Sequence, residues 1–181
     1  MEITSTESFL RYWQRIRGRT RRVVDCIPAE VLEVKARVGV LSPGATVLPR
    51  RSSDLWSLGD LIRHLALLER WMFAENIHGR PSLYRGCGVD HADGLGPVLE
   101  LFEGLGAETE DLIRQLTDDQ LQNRCQTPGG ASLPVWKWLR AMVEHHIHHR
   151  AQIYTSLTLL GVATPPLYGL TSEEVADRSA S

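Results

Sequence analysis

The sequence predicts an all-α fold, a four-helix bundle forming a single domain over residues 1–181. Three observations carry that expectation. Apolar residues recur at three- and four-residue steps over four stretches, near residues 5–27, 57–78, 97–116 and 134–160. Helix breakers separate these stretches at Pro28, Gly79-Arg80-Pro81 and Thr127-Pro128-Gly129-Gly130, and Gly161 closes the last one. A length of 181 residues with 43% hydrophobic and 23% charged content suits one globular core.

The first helix carries Phe9, Tyr12, Trp13, Ile16, Val23, Val24 and Ile27 on one face, with Thr4, Ser5 and Thr6 as candidate N-caps. Its basic run, Arg15, Arg17, Arg19, Arg21 and Arg22, reads as a solvated helix face rather than an anion-binding patch. Pro28 to Leu32 suggests a short extra turn. Residues 33–56 lack a period and read as a long loop with an extended piece at Thr46-Val47-Leu48; Lys35, Arg37, Arg50 and Arg51 make it basic.

Ser57 followed by Asp60 resembles a capping box and starts the second helix sharply. Leu58, Leu61, Ile62, Leu65, Leu68 and Met72 form its buried stripe, and His64 borders that stripe. A Gly-rich connection over residues 80–96 leads to the third helix, whose inner face is Val98, Leu101, Phe102, Leu105, Leu112, Ile113 and Leu116. Thr117 to Leu121 reads as a capped short turn, so long helix followed by short turn occurs twice. Pro134 suits the first turn of the fourth helix, which buries Val135, Trp138, Leu139, Met142, Ile153, Leu157 and Leu160.

Composition excludes several function classes. A formal net charge of −2 gives no reason to expect a nucleic-acid partner. No apolar run approaches the ~20 residues of a membrane span. Three widely spaced cysteines, Cys26, Cys87 and Cys125, without a C-x-x-C pair, fit a reducing compartment, and the expected location is cytoplasmic. Cys87 and Cys125 have no neighbours in sequence that mark them as activated nucleophiles.

Four of the seven histidines fall in the window 145–149. At about 100° per residue, His149 falls near the centre of the fourth helix's apolar face and His145 about 40° to one side. His146 lies toward the other edge and His148 points away. An i,i+4 histidine pair on an inner face is either mutually hydrogen-bonded or ligates a metal with a third residue from a facing helix. His64 is that third candidate. The metalloprotease pattern H-E-x-x-H is not present, because position 146 is His. Glu144 and Arg150 flank the pair, Gln152 is within reach of it, and His78 and His91 read as surface residues.

Two stretches carry a family resemblance. Trp56-Ser57-Leu58-Gly59-Asp60-Leu61-Ile62-Arg63-His64-Leu65 resembles the helix-two signature of the DinB/YfiT-like family. His145-x-x-x-His149-Arg150-Ala151-Gln152 is similar to its helix-four signature, with Ala151 where glycine is usual. The Pro165 to Thr171 tail is similar to that of some members. The resemblance implies an up-down-down-up four-helix bundle, a divalent metal (zinc, nickel or iron) on His64, His145 and His149, and frequent homodimers. It also implies a metal-dependent transferase of low-molecular-weight thiols to small electrophiles, with a metal-dependent hydrolase or a non-catalytic metal-binding stress-response protein as the alternatives. For the dimer, the expected contacts are exposed apolar surface near Trp136 and the Pro165 to Leu170 tail, since five tryptophans are more than one small core readily absorbs.

Overall fold

The structure, a computed structural model, describes residues 2–35 and 56–180. The basic loop residues Arg37, Arg50 and Arg51 and the piece Thr46 to Leu48 lie outside the described residues.

Helix α1 spans Thr6–Val24; the Ser5 hydroxyl accepts from the Ser8 amide at 3.3 Å and caps it. A 3-10 turn at Ala29–Val31 follows Pro28, as the sequence suggests. Helix α2 begins at Leu58, where Ser57 and Asp60 form the full capping box. It runs to Leu68, widens into a π-helical segment over Glu69–Ala74 and ends in the turn Glu75–Ile77. Helix α3 spans Leu95–Arg114, and a 3-10 turn occupies Asp119–Gln122. Helix α4 spans Val135–Leu159. Gly161, at φ +72°, stops it while the Val162 amide reaches back to the Leu157 carbonyl at 2.9 Å.

Two elements go beyond the sequence expectation. Strands β1 (Arg124–Gln126) and β2 (Ser132–Pro134) pair antiparallel, Cys125 opposite Leu133, and deliver the chain into α4. The Thr127 to Gly130 breaker is therefore a hairpin turn, with Gly130 at φ +83°. A last helix, α5, covers Ser172–Ser179 and starts on a second capping box, Thr171 with Glu174. That Thr-x-x-Glu signal was readable, but no apolar stripe follows it, and none of its residues is buried.

Helix α2 packs along α3, and α1 along α4, with further contacts from α1 to α3 and from α2 to α4. The core divides into two apolar blocks. One holds Phe9, Trp13, Phe73, Trp138 and Met142; the other holds Val23, Ile62, Phe102 and Ile153. On each helix, polar residues sit between the two blocks: Arg17 and Thr20 on α1, Glu69 after α2, Thr109 on α3, and His146, His149 and Arg150 on α4.

This polar layer corrects two readings. Arg17 belongs to the core rather than to a solvated basic face: it pairs with Glu69 at 2.9 Å, donates to the Phe102 carbonyl and lies over the Phe102 ring. Gly106 makes room for it, since a Cβ there would stand 1.9 Å from the Arg17 guanidinium. His146 is fully buried rather than at an edge. Val143, His146 and Arg150 are buried beside the predicted apolar positions, and they turn the buried face of α4 toward His146.

Candidate metal centre

Three imidazoles meet where α2 and α4 face each other. The Nε2 atom of His145 lies 3.1 Å from that of His64 and 3.0 Å from that of His149. The ligand atoms of all three fall within 4.8 Å of one another. Two nitrogens bound to one zinc-like ion at about 2.0–2.1 Å with a tetrahedral angle would stand about 3.3 Å apart. These two spacings lie close to that, and all three nitrogens stand near enough to one another to share one ion.

The outer ring nitrogens decide which atoms face inward. His149 Nδ1 lies 2.6 Å from Gln152 Oε1, which can only accept; the Nδ1 therefore carries the proton and Nε2 keeps its lone pair. Gln152 in turn donates from Nε2 to His148 Nε2 at 3.1 Å. His64 Nδ1 is engaged by the Tyr84 hydroxyl at 2.7 Å, again leaving Nε2 toward the centre. His145 Nδ1 is buried without a hydrogen-bond partner among the described residues.

Mutual hydrogen bonding does not satisfy this cluster. A proton on His145 Nε2 could serve only one of its two neighbours, and its Nδ1 would remain an unpaired acceptor. A proton on Nδ1 would leave the lone pairs of His145 Nε2 and His149 Nε2 facing each other at 3.0 Å, whichever tautomer His64 adopts. A bound cation resolves the conflict, because it accepts from all three nitrogens at once.

Burial first, then the neighbouring His149 and His145, pushes the His64 imidazole down to about 3. Burial, with His149 next, takes His145 down to about 4. His149 is also lowered, chiefly by burial and against the Gln152 hydrogen bond. All three are thus held neutral, the form that ligates.

Trp56, which immediately precedes the Ser57 cap of α2, is 42% exposed, stacks near-parallel on His149 at 5.7 Å and sits 4.5 Å from the His64 ring. Its position follows from a buried cluster next to it in sequence. Arg63 is fully buried and holds Glu33 at 2.7 Å and Asp60 at 2.9 Å, while the Gly59 amide donates to the Leu32 carbonyl. On the other side Phe73 approaches the His145 ring at 5.7 Å. The centre is therefore flanked by aromatic rings on both sides.

A second buried group adjoins the triad. His146 Nδ1 contacts the Glu69 carboxylate, His146 Nε2 lies 2.6 Å from Thr20 Oγ1, and the ring packs edge-on to Trp13 at 5.0 Å. Burial alone would raise the Glu69 carboxyl, but Arg17 and then His146 outweigh it and hold it below its ordinary value. Glu69 gave no signal in the sequence beyond a charge inside an apolar stretch.

The remaining candidates sort cleanly. His64, His145 and His149 come together, and Gln152 reaches them. Glu144 and His148 are exposed; Glu144 pairs with Arg140 on the helix surface. Arg150 is buried on a different face of α4. His78 is half-buried instead of a free surface group, its Nε2 lying 2.7 Å from the Leu112 carbonyl. Burial pushes the thiols of both Cys87 and Cys125 up, so neither is an activated nucleophile. Tyr84, missed in the sequence, carries no periodic or motif signal, because it lies in the irregular connection between α2 and α3.

Comparison with known proteins agrees with this architecture. The sequence model of the DinB superfamily matches residues 12–153. The fold is similar to the crystal structure of a DinB-like protein from Bacillus cereus ATCC 10987, with a TM-score of 0.68 and 17% identity over 91% of this chain and 99% of that one. No curated protein matches the chain. The chain belongs to the DinB superfamily.

Proposed function

We propose that His64, His145 and His149 hold one divalent metal ion, and that the protein uses it to transfer a low-molecular-weight thiol to a small electrophile. The observation that carries this reading is the convergence of three Nε2 atoms at 3.0 and 3.1 Å, with the His149 tautomer fixed by Gln152.

When bound, a divalent ion on three neutral imidazoles keeps its full positive charge and favours a thiolate over a thiol at an open position. The chain's own groups supply the rest. Trp56 and Phe73 offer apolar walls against which an electrophile's carbon skeleton can rest. Tyr84 and Gln152 keep the imidazoles oriented. Among the described residues no free carboxylate faces the triad, since Glu69 is committed to Arg17 and His146. A hydrolase would be served by a general base there, so thiol transfer is the preferred reading. We further propose that the chain acts as a homodimer through the bundle surface that carries Trp136.

Metal analysis of the purified protein, followed by incubation with a thiol and a model electrophile, tests the reading. The expected result is about one divalent ion per chain and loss of electrophile that needs both metal and thiol. Metal-dependent ester or amide cleavage without thiol would transfer the assignment to a hydrolase. Metal retained with neither activity, and a Tm that falls on chelation, would leave a structural site.

A further inference from the structure

Helix α4 carries a second feature on its far side. Ile147, Ala151, Tyr154 and Thr155 lie roughly 120–160° around the helix from His149. With the returning tail, Pro166 to Glu173, they enclose a cleft of about 590 Å³, and Arg150 contributes to its lining. That volume lies in the range of small-molecule sites.

The tail is held in place by basic residues of α1. Arg22 donates to the Leu167 carbonyl at 3.0 Å, and the Arg19 guanidinium lies 5.1 Å from the centre of the Tyr168 ring. Tyr168 and Leu170 remain exposed along the cleft, at 76% and 37%.

Arg150 is the unusual member. It is 2% exposed, donates to the Ile16 carbonyl at 3.3 Å and interacts with Tyr168, yet it has no carboxylate partner among the described residues. The other core arginines are paired, Arg17 with one carboxylate and Arg63 with two. A buried cation without a counter-charge is costly, and an arginine fork matches a carboxylate in two parallel hydrogen bonds. Arg19 adds a positive charge near Tyr168, and Glu173 at the cleft removes one. The apolar lining by Ile147, Leu167 and Leu170 suits an organic anion better than inorganic phosphate.

We propose that this cleft binds a small organic carboxylate with an apolar body, its carboxylate on Arg150 and its hydrocarbon part against Ile147, Leu167, Tyr168 and Leu170. The site is separate from the histidine triad and does not depend on the function proposed for it.

Isothermal titration of the full chain with octanoate, octanol and inorganic phosphate tests the proposal, in metal-loaded and chelator-treated protein. Octanoate should bind at one site per chain, at least tenfold tighter than octanol or phosphate, and equally in both metal states. Thr155→Trp, an exposed position that fills the cleft, should weaken octanoate at least tenfold; Arg150→Lys, which keeps the charge but loses the fork, should do the same. If Arg150→Lys fails to fold, Thr155→Trp still decides. Equal affinity for octanol, equal affinity for phosphate, or no effect of Thr155→Trp would overturn the proposal. So would loss of octanoate binding on chelation, which would put the carboxylate on the histidine centre. Dimer dissociation by Thr155→Trp in sedimentation velocity, without octanoate binding to the wild type, would assign the cleft to a second copy of the chain and also overturn it.

Discussion

Gln152 fixes the tautomer of His149: its carbonyl oxygen lies 2.6 Å from the ring Nδ1, so the lone pair of Nε2 faces His145. Gln152 is exposed, and its removal leaves the packing of α4 untouched. Gln152→Leu should lower divalent-metal affinity about 10–100-fold, the usual cost of losing such an outer partner. Competition with a chromophoric chelator measures it, and circular dichroism checks the helix content. Unchanged affinity would remove Gln152 from the site.

His148 and His149 are neighbours in sequence and differ in role. His149→Ala should abolish stoichiometric metal binding at neutral pH, because a ligand is gone. His148 is exposed and meets the site through Gln152 Nε2 and an edge-on contact with the His149 ring at 4.9 Å, without aiming a nitrogen into the triad. His148→Ala should change affinity by no more than a few-fold. Equal loss in both variants would mark a loose histidine cluster instead of a site.

The Arg17–Glu69 pair is buried on both sides, and Glu69 also meets His146. Glu69→Leu strands the Arg17 charge and should cost about 3–5 kcal/mol of folding stability, read from urea unfolding. The pH dependence has a definite sign. Glu69 is depressed in the folded state, so its contribution is complete above the unfolded value of about 4.3 and is lost as pH falls through the lower folded value. The urea midpoint of the wild type should drop below about pH 4, and that drop should be smaller in Glu69→Leu.

Two glycines predict different costs. At Gly106 a Cβ would stand 1.9 Å from Arg17 Nη1, and that guanidinium is pinned by Glu69 and the Phe102 carbonyl. Gly106→Ala should destabilise by about 2 kcal/mol or more, since losing the buried pair outweighs the ~1 kcal/mol gain in helix propensity. At Gly59 the Cβ would meet Glu33 Oε1 at 2.2 Å and Arg63 Nη1 at 3.0 Å; Glu33 is 39% exposed and can turn outward, and Arg63 then still keeps Asp60 at 2.9 Å. Gly59→Ala should therefore cost clearly less. Thermal unfolding of the two variants side by side checks the order.

The proposed homodimer is open to a direct measurement. Light scattering at micromolar concentration should return about twice the 20.3 kDa of one chain. Trp136 is already partly packed against the core of its own chain, so it leaves less apolar surface for a partner than its position in the sequence suggests. A monomeric mass would remove the dimer.

The sequence by itself determined the four long helices and the three histidines that come together. Apolar spacing on each helix sets which face is buried whatever the partner is, and the caps at Ser5, Ser57 and Gly161 are local chemistry. His145 and His149 are one helical turn apart by covalent geometry alone, and His64 lies on the edge of an apolar stripe that must face inward. What only the tertiary structure decided depends on rotation between helices. The angle at which α4 meets α1 and α2 places His146 in the core, pairs it with Glu69 across 77 residues, and turns Arg17 inward onto both Glu69 and Phe102. No periodicity reports that angle, because a charged residue inside a stripe reads as an interruption until its partner is known. Tyr84 and the Arg150 cleft escaped for the same reason. Each is made by an irregular segment folding back on a helix, and such contacts are set by the path of the chain in space rather than by any repeat along it.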